Sequence, residues 1–192
     1  MTLLVLGLVL FLGIHSTRIF ADGWRSGMIA RLGPMRWKGL YSVLSIIGFV
    51  VVIWGFRMAR ADTLVLWSPP VWARHAAALL MVFSFILLVA AYVPRNSIKA
   101  RLHHPMVLGV KVWALAHLLA NGVAASVVLF SAFLVWAVLS YRAARQRDRA
   151  ANTVYPPGNA AWTGITVAAG LIAWAVFAMF LHGPLIGVRP LG

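Results

Sequence analysis

The run Pro105–Tyr141, PMVLGVKVWALAHLLANGVAASVVLFSAFLVWAVLSY, decides the fold. Its 37 residues carry one formal charge, Lys111. As a single helix it would extend about 55 Å at ~1.5 Å per residue, far beyond a hydrocarbon core of roughly 30 Å. Asn121-Gly122, near its middle, is a turn dipeptide. The run therefore reads as two antiparallel helices, Pro105–Ala120 and Gly122–Tyr141, joined by a tight hairpin. Outward from it lie four more apolar stretches near the ~20 residues a crossing needs: Thr2–Ile19, Lys38–Phe56, Val71–Val93 and Ala161–His182. The expected fold is an all-α, polytopic transmembrane helical bundle of about six spans, forming a single integral membrane domain over residues 1–192. The span at 105–120 is the shortest and contains Lys111.

Composition agrees. Apolar residues make up 62% and charged residues 10%, against about half and a quarter in ordinary soluble domains. The three acids are Asp22, Asp62 and Asp148, and glutamate is absent. That excludes a paired-carboxylate glycosidase and a carboxylate metal cage. The lack of cysteine excludes disulfides, zinc-thiolate sites and thiol nucleophiles.

The net charge of +14 points to the bilayer, with no nucleic acid as partner, because the basic residues lie between apolar runs and form no DNA-binding motif. The first, third and fifth connections and the rest of the chain outside the spans divide the bases twelve to four. The twelve are Arg18, Arg25, Arg31, Arg36, Lys38, Arg95, Lys99, Arg101, Arg142, Arg145, Arg147 and Arg149. Positive charge stays inside. The expectation is thus a multi-pass protein of the bacterial inner membrane with both termini periplasmic. The first apolar run should be an uncleaved span, since Arg18 follows it where a signal peptide would have its charge in front. The stretch Arg142–Arg149, followed by Tyr155-Pro-Pro-Gly158, reads as a linker that touches anionic headgroups.

Ionisable residues inside spans are functional candidates because lipid burial is costly. His75 and His182 fall at the outer interface and His103 and His104 at the inner one, where solvation is the ordinary state. His15 and His117 lie deeper, each about 18 Å along its span at ~1.5 Å per residue, which places them at similar depth. Two imidazoles at one level on different helices suit axial ligation of haem iron; hydrogen bonding to a neighbouring helix is the alternative. Lys111 is placed to snorkel to the cytoplasmic surface. The tryptophans read as an interfacial belt. Gly7, Gly13, Ala116, Ala120 and Ala124 mark close helix packing.

The block His103-His-Pro-Met-Val-Leu-Gly-Val-Lys-Val-Trp-Ala-Leu-Ala-His-Leu-Leu-Ala-Asn-Gly122, with His15-Ser-Thr-Arg18 and His182-Gly-Pro-Leu-Ile-Gly-Val188, resembles the NnrU family of membrane proteins. The resemblance covers essentially the whole chain. It implies a link to denitrification, and it extends to zeta-carotene isomerase, a haem b membrane enzyme that turns a cis double bond trans. The isomerase's ligand-bearing histidines match His15 and His117, which would bind haem b here. Arg18, His104, Lys111 and Asn121 are secondary candidates, and no catalytic residue is assigned. This chain departs from the isomerase in lacking cysteine and in reading His103-His104-Pro105 where Arg-His-Pro would be closer. A weaker likeness, His-Pro-x-x-x-Gly at a helix head, is to membrane methyltransferases, which carry a later acidic motif that this chain lacks after Asp148. A transporter would show repeats and broken midplane helices, and neither is evident.

Two functions follow. One is a haem-binding accessory protein in nitrogen-oxide metabolism, with denitrification components as partners. The other is a haem-dependent cis–trans isomerase acting on a lipophilic polyene. The charge bias sets the first test. A reporter active only in the cytoplasm should be silent when fused after Gly192 and active when fused at Asp148; the opposite pattern inverts the orientation.

Overall fold

The computed structural model describes residues 1–61 and 64–190; Asp62, Thr63, Leu191 and Gly192 lie outside the described residues. Among those described, the regular elements are helices, with no strand beyond isolated bridges. Five helices are long and apolar enough to cross a membrane. They are α1 (Thr2–Phe20), α3 (Pro34–Ala61), α4 (Val71–Tyr92), α7 (Ala124–Ala150) and the composite of α8 (Ala160–Val176), a π-helical turn (Phe177–Leu181) and α9 (His182–Ile186). The expected fourth span is α6, Pro105–Ala120, with the predicted bounds. At 16 residues it is shorter than the other five.

The spans expected at Lys38–Phe56 and Ala161–His182 run longer, over Pro34–Ala61 and Ala160–Ile186, and three connections differ from expectation for local reasons. The first connection is itself the helix α2 (Asp22–Leu32). It is closed by Gly33 at φ 81°, a left-handed φ that glycine adopts without strain. Pro34 then opens α3, where a missing N–H costs nothing. The arginine-rich stretch after Tyr141, read as a linker, continues α7 to Ala150, since Ala, Arg and Gln are strong helix formers. The tight hairpin at Asn121-Gly122 is an extended segment: Asn121 has φ −134° and ψ 119°.

The chain clusters into two compact units. The first comprises residues 1–68 and 122–143 and the second residues 69–121 and 144–192. In the first unit α1 packs on α3 through glycine. A Cβ on Gly7 would meet the backbone of Val51 and Val52, one on Gly48 that of Phe11, and one on Gly55 that of Leu3 and Leu4. Gly13, expected to do the same, has nothing within 4 Å and plays no part in the seam. The extended segments also pair here: Ala124 N donates to Leu64 O at 2.9 Å, and Leu66 N to Gly122 O at 2.8 Å. Gly122 is required because a Cβ there would collide with the Trp67 carbonyl.

In the second unit α4 is flanked by α6 and α8. The buried Ser84 hydroxyl donates to the Gly109 carbonyl at 2.9 Å, crossing between α4 and α6. Gly170 of α8 lies against Ile86 of α4. The joint before the helix α5 (Ser97–Leu102) is built on Asn96, 2% exposed, whose amide donates to Ala90 O and Val93 O and whose oxygen caps Lys99 N. This joint meets the fifth connection through Asn159 N to Arg95 O at 2.7 Å and Ser97 N to Thr163 Oγ1 at 2.8 Å. The third and fifth connections are therefore neighbours.

The glycine seam gives a test. Gly55→Ala forces a methyl group against the α1 backbone and should destabilise the protein by about 1–3 kcal/mol, read as a lower unfolding temperature in detergent. Gly13→Ala, with open space around it, should leave that temperature unchanged or slightly raised.

Candidate functional site

His15 belongs to the first unit and His117 to the second, and each is half-buried in its own surroundings. Both lie on helices whose apolar sequence offers little for an imidazole to bond. Each finds the same partner. His15 Nδ1 lies 2.7 Å from the Phe11 carbonyl and His117 Nδ1 lies 2.9 Å from the Trp113 carbonyl, one turn back in each helix. A carbonyl only accepts, so Nδ1 carries the proton in both rings and Nε2 is the atom with a lone pair.

Aromatic rings surround His15, and Trp113 flanks His117. The His15 centroid is 4.3 Å from Phe11, 5.3 Å from Tyr41 and 6.1 Å from Trp136, so α1, α3 and α7 all contribute. Phe11 is in turn 5.8 Å from both Phe49 and Phe133. His117 has Trp113 at 5.3 Å. Trp113 and Trp136 were expected in an interfacial belt; they pack against the two histidines. The buried Trp136 Nε1 has no hydrogen-bond partner.

These residues fit haem. An axial histidine uses neutral Nε2 while Nδ1–H donates to a carbonyl or carboxylate, and both rings are fixed in that tautomer. The orphaned indole N–H beside His15 is a donor still lacking an acceptor. A metal site built from protein ligands alone has less support: among the described residues no group of three His, Cys, Asp or Glu is placed to hold an ion.

The secondary candidates sort differently. Asn121 donates to His117 O at 2.9 Å and so ties off the end of α6 just beyond the histidine. Lys111 is half-buried on α6. Arg18 occupies the last turn of α1, where its charge suits the helix dipole. His182 Nδ1 bonds the Val188 carbonyl at 2.6 Å, a contact permitted by the left-handed Gly187, and His75 is exposed.

His104 is not the solvated interfacial residue that its position suggested. Its Nε2 lies 2.8 Å from Asp148 Oδ2, which also accepts from Arg145 at 3.1 Å and from the Tyr155 hydroxyl at 3.2 Å. The cluster belongs to the second unit and lies in the charged end of α7, beyond the apolar part that ends near Tyr141. Asp148 is 13% exposed. Burial alone would raise its pKa, but the bonds from His104, Tyr155 and Arg145 outweigh it and hold the carboxyl below its ordinary value. Asp148 and Tyr155 were not singled out as site residues. The available signal was one carboxylate set among four arginines.

The fold is that of a polytopic helical membrane protein, and each unit carries a histidine bonded to the carbonyl one turn back in its own helix. The NnrU protein family model matches residues 3–190, and the chain belongs to that family. No curated protein and no solved structure matches the chain significantly.

The Asp148 cluster predicts a pH dependence. A depressed folded pKa adds stability that is complete above the unfolded carboxyl's value, about 4, and is lost as pH falls through the folded one. The gap in unfolding temperature between the parent protein and Asp148→Asn should therefore be widest near neutrality and shrink below about pH 4. A gap independent of pH would remove the charge from the argument.

Proposed function

We propose that this NnrU-family protein holds haem b through His15 and His117 and serves as an accessory protein in nitrogen-oxide metabolism, most directly denitrification. The observation that carries the reading is the Nδ1–carbonyl bond repeated at both histidines. It commits two intramembrane imidazoles, which would otherwise be costly there, to one tautomer with the same ligating atom. When bound, haem would supply one-electron chemistry at its iron. The chain's own part is to fix the two rings, to line them with apolar and aromatic side chains and to keep water away. The orientation that accompanies this reading is inner-membrane, with both termini periplasmic, supported by the twelve-to-four distribution of basic residues.

An accessory role is favoured over catalysis because His15 and His117 would both be committed to holding the group, and the chain has no cysteine to take the place of either. Haem-dependent isomerisation of a polyene is the competing outcome of the tests.

Protein purified from haem-replete cells should show a Soret band that shifts on reduction. His15→Ala and His117→Ala should weaken or move it, while His75→Ala and His182→Ala leave it intact. A folded, colourless protein after haem supplementation contradicts the proposal. Deleting the gene should impair anaerobic growth on nitrite. Conversion of 9,15,9′-tri-cis-zeta-carotene to the 9,9′-di-cis form in darkness, abolished by His117→Ala, would overturn the accessory role in favour of the isomerase.

A further inference from the structure

Beside the Asp148 cluster, an open pocket of about 400 Å³ is lined by His103, Arg145, Asp148, Arg149, Asn152 and Thr153. Its charge balance is one-sided. The single carboxylate already accepts from His104, Arg145 and Tyr155, so its charge is met from within the cluster. Arg149 is exposed at the rim and adds a positive charge. The carbonyls at the end of α7 are also closed off. Those of Arg147, Asp148 and Arg149 accept from Ala151, Thr153 and Asn152, so the helix end presents little of its negative pole.

His103 packs edge-on against Tyr155, 4.2 Å between ring centroids, but its nitrogen is not accounted for. The residue has φ 69° and ψ −55°, and His104 N reaches back to Leu102 O at 2.9 Å. That is the positive-φ γ-turn, a strained form for any side chain. His103 Nδ1 is buried without a hydrogen-bond partner, 3.9 Å from Asp148 Oδ2 and too far to bond it. The strained turn and the unsatisfied imidazole nitrogen belong to a residue that lines this basic pocket.

We propose that this pocket binds a phosphate-bearing anion, held by the Arg149 guanidinium, the His103 imidazole and the Asn152 and Thr153 side chains, with Asp148 orienting Arg145. A forked guanidinium, an imidazole, an amide and a hydroxyl offer donors in several directions, which suits a tetrahedral group with several acceptor oxygens. Burial and the nearby Arg145 keep the His103 pKa below its ordinary value against the opposing pull of Asp148, and an anion bound beside the ring would favour its protonated form. The phosphate can come from an anionic lipid headgroup or from free phosphate, and the two sources are distinguishable.

The test uses the full chain in dodecyl maltoside. Native mass spectrometry would follow retention of dioleoyl phosphatidic acid and dioleoyl phosphatidylcholine, and calorimetry would follow inorganic phosphate. Phosphatidic acid should be retained well above phosphatidylcholine. Arg149→Gln and His103→Asn, the latter chosen because Asn tolerates positive φ, should each weaken that retention about tenfold. Arg101→Gln, on the neighbouring α5 but outside the pocket, should match the parent. The same pattern with inorganic phosphate alone would support the site and make its ligand soluble. No preference for either phosphate, an equal loss in Arg101→Gln, or no loss in Arg149→Gln or in His103→Asn would overturn the proposal.

Discussion

Close backbone contact at small residues is the constraint on which each unit depends. In lipid there is no hydrophobic force between helices, because the surrounding tails are as apolar as the side chains. What remains is van der Waals contact and the occasional hydrogen bond, and both need the helices close. The seam of Gly7, Gly48 and Gly55 brings α1 against α3. The Ser84–Gly109 bond and the close approach of Leu88 to Gly109 do the same where α6 meets α4. The same stripe of α1 carries His15 against Tyr41 of α3, and on α6 His117 lies against Trp113.

On those faces both histidines solve the same electrostatic problem. A polar ring in an apolar helix is unfavourable unless its donor is satisfied. The carbonyl one turn back is the acceptor that the helix itself supplies. The bond leaves Nε2 with the lone pair, so the arrangement that lowers the cost of burial also leaves the ring an atom able to ligate. Asn121 extends the arrangement at α6 by bonding the His117 carbonyl at 2.9 Å.

The spans were legible because hydrophobic length is a strong signal; α6 has the expected bounds. His15 and His117 were legible as polar residues deep in apolar runs. Other features depended on information that periodicity does not carry. Gly7 and Gly13 look alike in sequence, yet only Gly7 faces α3, which depends on how the two helices are rotated. The Asn121-Gly122 turn is extended because the chain after α3 pairs with it, a contact between residues far apart in sequence. The arginine-rich stretch was taken for a linker on charge, although its Ala, Arg and Gln content favours the helix it forms. Asp148 and Tyr155 acquire their role only when the third and fifth connections meet. Trp113 and Trp136 resemble belt residues until their rings are located against the histidines.

Low-temperature electron paramagnetic resonance of the oxidised protein, purified from haem-replete cells, tests the central claim most directly because it reports the ligands at iron. The account predicts a low-spin ferric signal with two imidazole ligands, converted to high spin by either His15→Ala or His117→Ala. A low-spin signal that survives both substitutions, or a folded protein with no haem iron signal after haem supplementation, would contradict it.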